Sequence, residues 1–170
     1  MARPKLYMLI GVPGSGKSTW IVNNADHVDA QEELYIASTD DYIELRAQLQ
    51  KKTYNDVFQD EIKAAEKFMY QGVQFAAEHD YTIIWDQTNL TRKSRAKKLI
   101  MVPDHYDKIA IFFPTPEDIW ERLIHRESAT GKSIPEHVVR NMINTIELPE
   151  FDEGFIQIRI EGKKVDANFS

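Results

Sequence analysis

At 170 residues, with 42% apolar and 28% charged side chains, the chain is long enough to bury a core as one globular domain spanning 1–170. It has no cysteine, which excludes a disulfide framework and any cysteine-based zinc site. A net charge of −6 argues against coating of duplex nucleic acid, which runs on phosphate neutralisation, but leaves room for a local basic pocket.

In chain order, Met1-Ala2-Arg3-Pro4-Lys5 leads directly into the apolar run Leu6–Ile10, so no cleavable leader is expected. That run reads as a buried strand. Gly11-Val12-Pro13-Gly14-Ser15-Gly16-Lys17-Ser18 follows and forms a complete phosphate-binding loop, and Ser18 to Asn24 reads as the first turns of a helix. The glycines let successive backbone N–H groups point at phosphate oxygens, and the helix N-terminus adds its positive end. Lys17 would bridge β- and γ-phosphates, and the Ser18 hydroxyl would ligate Mg²⁺.

Leu34–Ser38 is predicted as the second strand, ending at Thr39-Asp40-Asp41. A long helix is expected from about Tyr54 to His79, with Val57, Ile62, Ala65, Phe68 and Met69 near one face. Tyr81–Trp85 is the third strand, and a helix through Ala96, Leu99 and Ile100 ends near Pro103. Lys108–Phe113 is the fourth strand. A helix then starts with Thr115 as N-cap and Pro116 at its first position, and another opens at Ile134-Pro135-Glu136. Phe155–Ile160 alternates and closes the order as an edge strand. No run approaches the ~20 apolar residues that cross a bilayer. Alternating apolar strands and helices imply an α/β sandwich, a parallel sheet of about five strands covered on both faces. Ligands are then expected at the carboxyl ends of the strands.

Charged residues fall at those ends. Asp40 and Asp41 follow strand two and Asp86 follows strand three, where carboxylates would face the γ-phosphate of a nucleotide. One could accept a proton from an attacking hydroxyl, and another could hold Mg²⁺ through water or orient a basic residue. Asp40 is the candidate base, although either aspartate could instead cap the next helix. Arg122 and Arg126 lie one helical turn apart, beside the small, polar Ser128–Ser133 segment, which suits a lid over about 122–134 carrying cations to the phosphates. The competing reading is a pair of surface salt bridges to Glu121 and Glu127. Arg122, His125, Arg126, Lys132 and Arg140 make one basic concentration. Arg92, Lys93, Arg95, Lys97 and Lys98 make another, which is expected to be a solvated helix face.

Four motifs resemble the 5′-kinase domain of phage-type polynucleotide kinases and related DNA/RNA repair enzymes, over nearly the whole chain. They are residues 11–20, Ser38-Thr39-Asp40-Asp41-Tyr42, Asp86-Gln87-Thr88-Asn89-Leu90, and Arg122-x-x-x-Arg126 with Gly131-Lys132. Pro149–Phe155 also resembles the end of the kinase domain in animal repair enzymes. The resemblance implies a P-loop kinase fold, ATP as donor, Mg²⁺, and the 5′-OH of a DNA or RNA end as acceptor. It implies Asp40 as general base, Asp86 and Asn89 in the acceptor site, and Arg122 and Arg126 as lid arginines acting with Lys17. Gly11, Gly14, Ser15, Gly16, Lys17, Ser18 and Thr19 would bind the nucleotide. Family members carry an arginine three positions after the base to hold the acceptor's phosphate. Here Ile43 stands there, and Arg46, one turn on, is the candidate to reach the same space. The Asp-x-Asp-Gly-type phosphatase motif is missing, so 3′-phosphate removal is not expected. A cytoplasmic location is expected, the host cytoplasm for a phage-encoded chain. Other acceptors compatible with the residues are a hydroxymethylated base in phage DNA, a tRNA-linked residue or a small metabolite. A non-catalytic nucleotide-binding protein would need none of Asp40, Asp86 and both arginines in combination.

Overall fold

A computed structural model describes residues 2–28 and 33–162. In order, the elements are β1 (Lys5–Ile10), α1 (Lys17–Val28), β2 (Leu34–Ala37), α2 (Asp40–Gln50), α3 (Tyr54–Glu78) and β3 (Thr82–Trp85). There follow α4 (Arg92–Leu99), β4 (Asp107–Phe112), α5 (Ile119–Thr130), α6 (Glu136–Asn144), a short 3₁₀ turn (Phe151–Glu153) and β5 (Gln157–Ile160). The five strands form one parallel sheet in the order β2-β3-β1-β4-β5. This is the α/β architecture expected from the alternation of strands and helices. Among the described residues no helix is long and apolar enough to cross a membrane.

β1 shows why the sheet is covered on both sides. Alternate side chains leave a strand on opposite faces, and here both sets are buried. Leu6, Met8 and Ile10 join a cluster with Met69, Val73 and Ala76 of α3. Tyr7 and Leu9 pack in a second cluster with Trp20 of α1.

α3 begins where its sequence says it should. The Thr53 hydroxyl accepts from the Asp56 backbone N–H while the Asp56 carboxylate accepts from that of Thr53, a reciprocal capping box. Its buried stripe is Val57, Glu61, Ala65, Met69 and Val73. Phe68, expected on that face, is 60% exposed and tilts against Tyr42 instead. The stripe admits Glu61 because Arg46 and Gln50 of α2 both donate to its Oε1, at 3.0 and 3.1 Å.

Two expectations are corrected here. The helix after β4 starts at Ile119 rather than Thr115, because Pro116 to Ile119 forms a separate tight turn closed by Ile119 N–H to Pro116 C=O. Asp118 stands at the N-cap, but its carboxylate bonds Arg122 at 2.8 Å and no side-chain cap forms. The basic run of α4 is not a solvated face throughout: Arg95 is fully buried and Lys98 nearly so. Arg95 forks onto Glu153 at 2.8 and 3.1 Å and donates to the carbonyls of Asn89 and Glu147. One guanidinium thereby ties the loop after β3 to the segment after α6.

Removing one partner of a buried pair strands the other charge, at a cost of ~3–5 kcal/mol. Glu153→Ala should destabilise the fold by about that amount in urea unfolding, and replacing both partners with apolar residues should recover much of it. A single-variant loss below about 1 kcal/mol would show that the pair does not hold the two segments together.

Candidate active site

The phosphate loop leaves β1 and enters α1 through two glycines in the left-handed region, Gly14 at φ +80 and Gly16 at φ +106, which L side chains rarely adopt. A Cβ on Gly11 would sit 2.5 Å from Ser15 Oγ, so the turn also closes too tightly for a side chain there. Ser15 Oγ is buried without a hydrogen-bond partner among the described residues. An orphaned hydroxyl beside inward-turned backbone amides is what a phosphate oxygen satisfies. The loop is anchored to its neighbour by Gly11 N–H to Thr88 C=O at 3.0 Å.

Lys17 curls back on the loop, donating to the Gly11 and Val12 carbonyls at 2.8 and 3.0 Å. Burial lowers its pKa to about 8 against the opposing pull of Asp86, with Arg126 lowering it further and Asp40 raising it. Burial likewise raises the Asp86 carboxyl, opposed by Lys17 and reinforced by Asp40 and Asp41. These charged groups therefore lie within electrostatic reach of one another.

Lys17, Arg126, Asp40 and Asp86 share a cleft of about 1030 Å³. Gly14, Gly16, Lys17, Ser18 and Thr19 line its loop side, while Gly11 and Ser15 are buried behind. Arg122 and Arg126 reach it from α5, and Asp40 and Asp86 from the ends of β2 and β3. Arg122 pairs with Asp118 and approaches the Gly14 carbonyl at 3.4 Å, rather than turning to Glu121. Arg126 has no carboxylate in ion-pair range among the described residues, so the expected alternative of pairing with Glu127 is not what the geometry shows. Among those residues no cluster of three or more acidic or histidine side chains forms a preformed metal cage. Ser18, expected as a Mg²⁺ ligand, lines the cleft at the first turn of α1.

Asp40 opens α2, and neither it nor Asp41 caps the helix with its side chain. Its Oδ1 accepts from the Tyr54 hydroxyl at 2.6 Å, and its Oδ2 lies 3.7 Å from Lys132 Nζ. Lys132 also pairs with Glu44 and stands 4.8 Å from the centre of the Tyr54 ring. Burial, then the bond to Asp40, raises the Tyr54 pKa, so its proton stays in place as a donor. The segment between α5 and α6 is docked to α3 by a two-way bond between Asn55 and the Ser133 backbone, at 3.0 and 3.3 Å.

A family model described as an AAA domain (AAA_33) matches residues 6–149. The chain belongs to that family. Heterogeneous nuclear ribonucleoprotein U-like protein 2 of Mus musculus is 25% identical over 153 residues, covering 86% of this chain and 20% of that protein. The Homo sapiens protein is 24% identical over 148 residues with the same coverage. The chain thus spans about a fifth of the length of these relatives. Among solved structures, one titled as the Pnkp1/Rnl/Hen1 RNA repair complex matches with TM-score 0.65 and 22% identity, over 85% of this chain and 44% of that one. Shikimate kinase from Acinetobacter baumannii matches with TM-score 0.53 and 16% identity, over 96% and 86%. At these identities the likeness is one of fold, and the fold is that of P-loop kinases.

Two expected acceptor-site residues of this AAA domain lie away from the cleft. Arg46 is held between α2 and α3 by Glu61. Asn89 is 2% exposed, with φ +50; its amide donates to the Leu9 carbonyl at 2.8 Å and its Oδ1 accepts from Lys98. Asn89 thus ties the loop after β3 to β1, while Asp86, Gln87 and Thr88 line the cleft. Tyr54 had no signal in the sequence beyond its place at the first turn of α3. Lys132 stood in a basic concentration without an assigned partner.

The charged amine of Lys17 is the form that attracts phosphate, and bound phosphate raises its pKa above about 8. ATP affinity should therefore be level below that pH and fall above it, by up to about tenfold per pH unit until the bound-state pKa is passed. Kd titrations from about pH 7 to about 9.5 check this, and a flat profile would remove Lys17 from the phosphate site.

Proposed function

We propose that residues 1–170 form a single kinase domain that moves the γ-phosphoryl group of ATP, with Mg²⁺, to the 5′-hydroxyl of a DNA or RNA end. The observation that carries this reading is the Asp40 carboxylate, held by Tyr54 in the same cleft as the phosphate loop, Lys17 and Arg126. A pure nucleotide binder needs no combination of Asp40, Asp86, Arg122 and Arg126 around its loop. The resemblance of the four motifs supports the nucleic-acid acceptor.

Asp40 takes the proton as the acceptor oxygen attacks γ-phosphorus; the bond to the β-phosphate oxygen breaks, and its electron pair leaves on ADP. Lys17, Arg122 and Arg126 stabilise the charge spread over the transferred group. Mg²⁺, when bound at Ser18, neutralises phosphate charge. Asp86, within electrostatic reach of Lys17, helps to keep that ammonium charged. Residues about 122–134 act as the lid, its polar end already bonded to α3 through Asn55. The solved likenesses include kinases of small molecules, so a small alcohol is the second reading.

With γ-labelled ATP and separate 5′-OH DNA, 5′-OH RNA and hydroxymethylated DNA, label should appear on a 5′-OH end. Label on the hydroxymethylated base alone, or on none of the three, would overturn the acceptor assignment. Asp40→Asn should lower turnover by about 10²–10⁴-fold with ATP affinity nearly unchanged. A mild Asp40→Asn beside a damaging Asp41→Asn would move the base to the neighbour.

Arg126→Lys keeps the charge but loses the planar fork. If the fork acts on the transferred group, turnover should fall by at least about tenfold while the melting temperature holds.

A further inference from the structure

The two ends of the cleft differ in chemistry. At the loop end stand Lys17 and Arg122, with Arg126 between the two ends, within electrostatic reach of both Lys17 and Tyr54. At the Asp40 end one wall is apolar: Tyr54, Phe58 and Ile62 follow one another at single helical turns along α3, and all three line the cleft half-buried. The rings of Tyr54 and Phe58 lie 5.8 Å apart, making a continuous surface. Ile134, Val138 and Met142, from the lid end and α6, also line the cavity.

Arg126 is within electrostatic reach of Tyr54 but is the cation the transferred phosphoryl group would engage. The other lining cation at this end among the described residues is Lys132, and it is already matched by Asp40 and Glu44 under the Tyr54 ring. Asp41 adds a third carboxylate on the same turn of α2. Arg46 points to Glu61, and Ile43 is fully buried in a cluster with Ala47, Val57 and Ala65. A phosphate placed beside the acceptor hydroxyl would have to displace a carboxylate from Lys132 and then stand against the carboxylates left behind.

We infer that the acceptor end of the cleft recognises an uncharged, flat body: the base of a terminal nucleoside lies against the Tyr54–Phe58–Ile62 wall, and the phosphate on its 3′ side makes no ion pair with the protein. This rests on the 5′-hydroxyl reading above. Aromatic stacking of a base is worth ~1–3 kcal/mol and tolerates any base, so the wall would select for a nucleoside without selecting which one.

The test compares kcat/KM, with γ-labelled ATP and the full chain, for a nucleoside and for the same nucleoside carrying a 3′-phosphate. The two should agree within about threefold, and the acceptor KM should barely move with added salt. Phe58→Ala should raise the acceptor KM by about tenfold while the ATP KM stays within about twofold, and Phe58→Trp should restore it. An advantage of about tenfold or more for the 3′-phosphorylated acceptor overturns the inference while leaving the 5′-hydroxyl reading standing. So does a Phe58→Ala defect that falls on ATP instead. If neither acceptor nor a 5′-OH oligonucleotide takes label from an ATP-binding preparation, the 5′-hydroxyl reading falls and this inference with it. The wild-type comparison decides the matter even if the Phe58 variant does not fold.

Discussion

Every candidate group in the cleft depends on β1 being hydrogen-bonded on both edges by parallel strands, β3 on one side and β4 on the other. Parallel pairing puts carboxyl ends side by side, so the chain leaving β1 meets the chain leaving β3 and, one strand further, β2. The contacts that continue the ladder past the strands show this: Gly11 N–H reaches Thr88 C=O, Asp86 N–H reaches Ala37 C=O, and Phe113 N–H reaches Ile10 C=O. An antiparallel neighbour would have carried Asp86 to the opposite end of the sheet. The phosphate loop and its facing carboxylates are therefore a property of topology before they are a property of side chains.

Beneath that surface, the loop after β3 is held by groups that never reach the cleft. Asn89 is fixed by Leu9 of β1 and by Lys98, whose pKa burial lowers to about 8, while Arg95 grips the same loop from α4 and joins it to Glu153. Buried, fully bonded polar groups are costly to rearrange, because each alternative strands a charge or a donor. The result is a rigid seat for Asp86, whose own carboxyl is pushed up by burial and held in check by Lys17.

The opposite side of the cleft is assembled from α2, α3 and the segment between α5 and α6, and there the bonds are partly exposed. Tyr54, Lys132, Glu44 and the Asn55–Ser133 pair gather around Asp40, which is itself 42% exposed at the side chain. The β3 side of the cleft is thus held by buried polar groups and the α2–α3 side by partly exposed ones, and partly exposed bonds are the ones that open at least cost.

What could be read from the sequence were features set within a turn or a strand. The phosphate loop is eight consecutive residues whose conformation is local, the strands are continuous apolar runs, and α3 announces itself by its apolar face. The one-turn spacing of Arg122 and Arg126 likewise placed both on one cleft-lining face. What tertiary structure alone decided were the partners of long polar side chains. Arg95 looked like one more solvated cation, but its counter-charge Glu153 lies 58 residues away. Arg46 looked free to meet a ligand, but Glu61 stands 15 residues on in the next helix. Asn89 looked like part of the acceptor motif, but its amide answers a carbonyl 80 residues earlier in β1. Helical period and capping act over three or four residues, so they show which face a side chain leaves from. Whether it finds water, a ligand or a buried carboxylate depends on which distant segment the fold brings opposite.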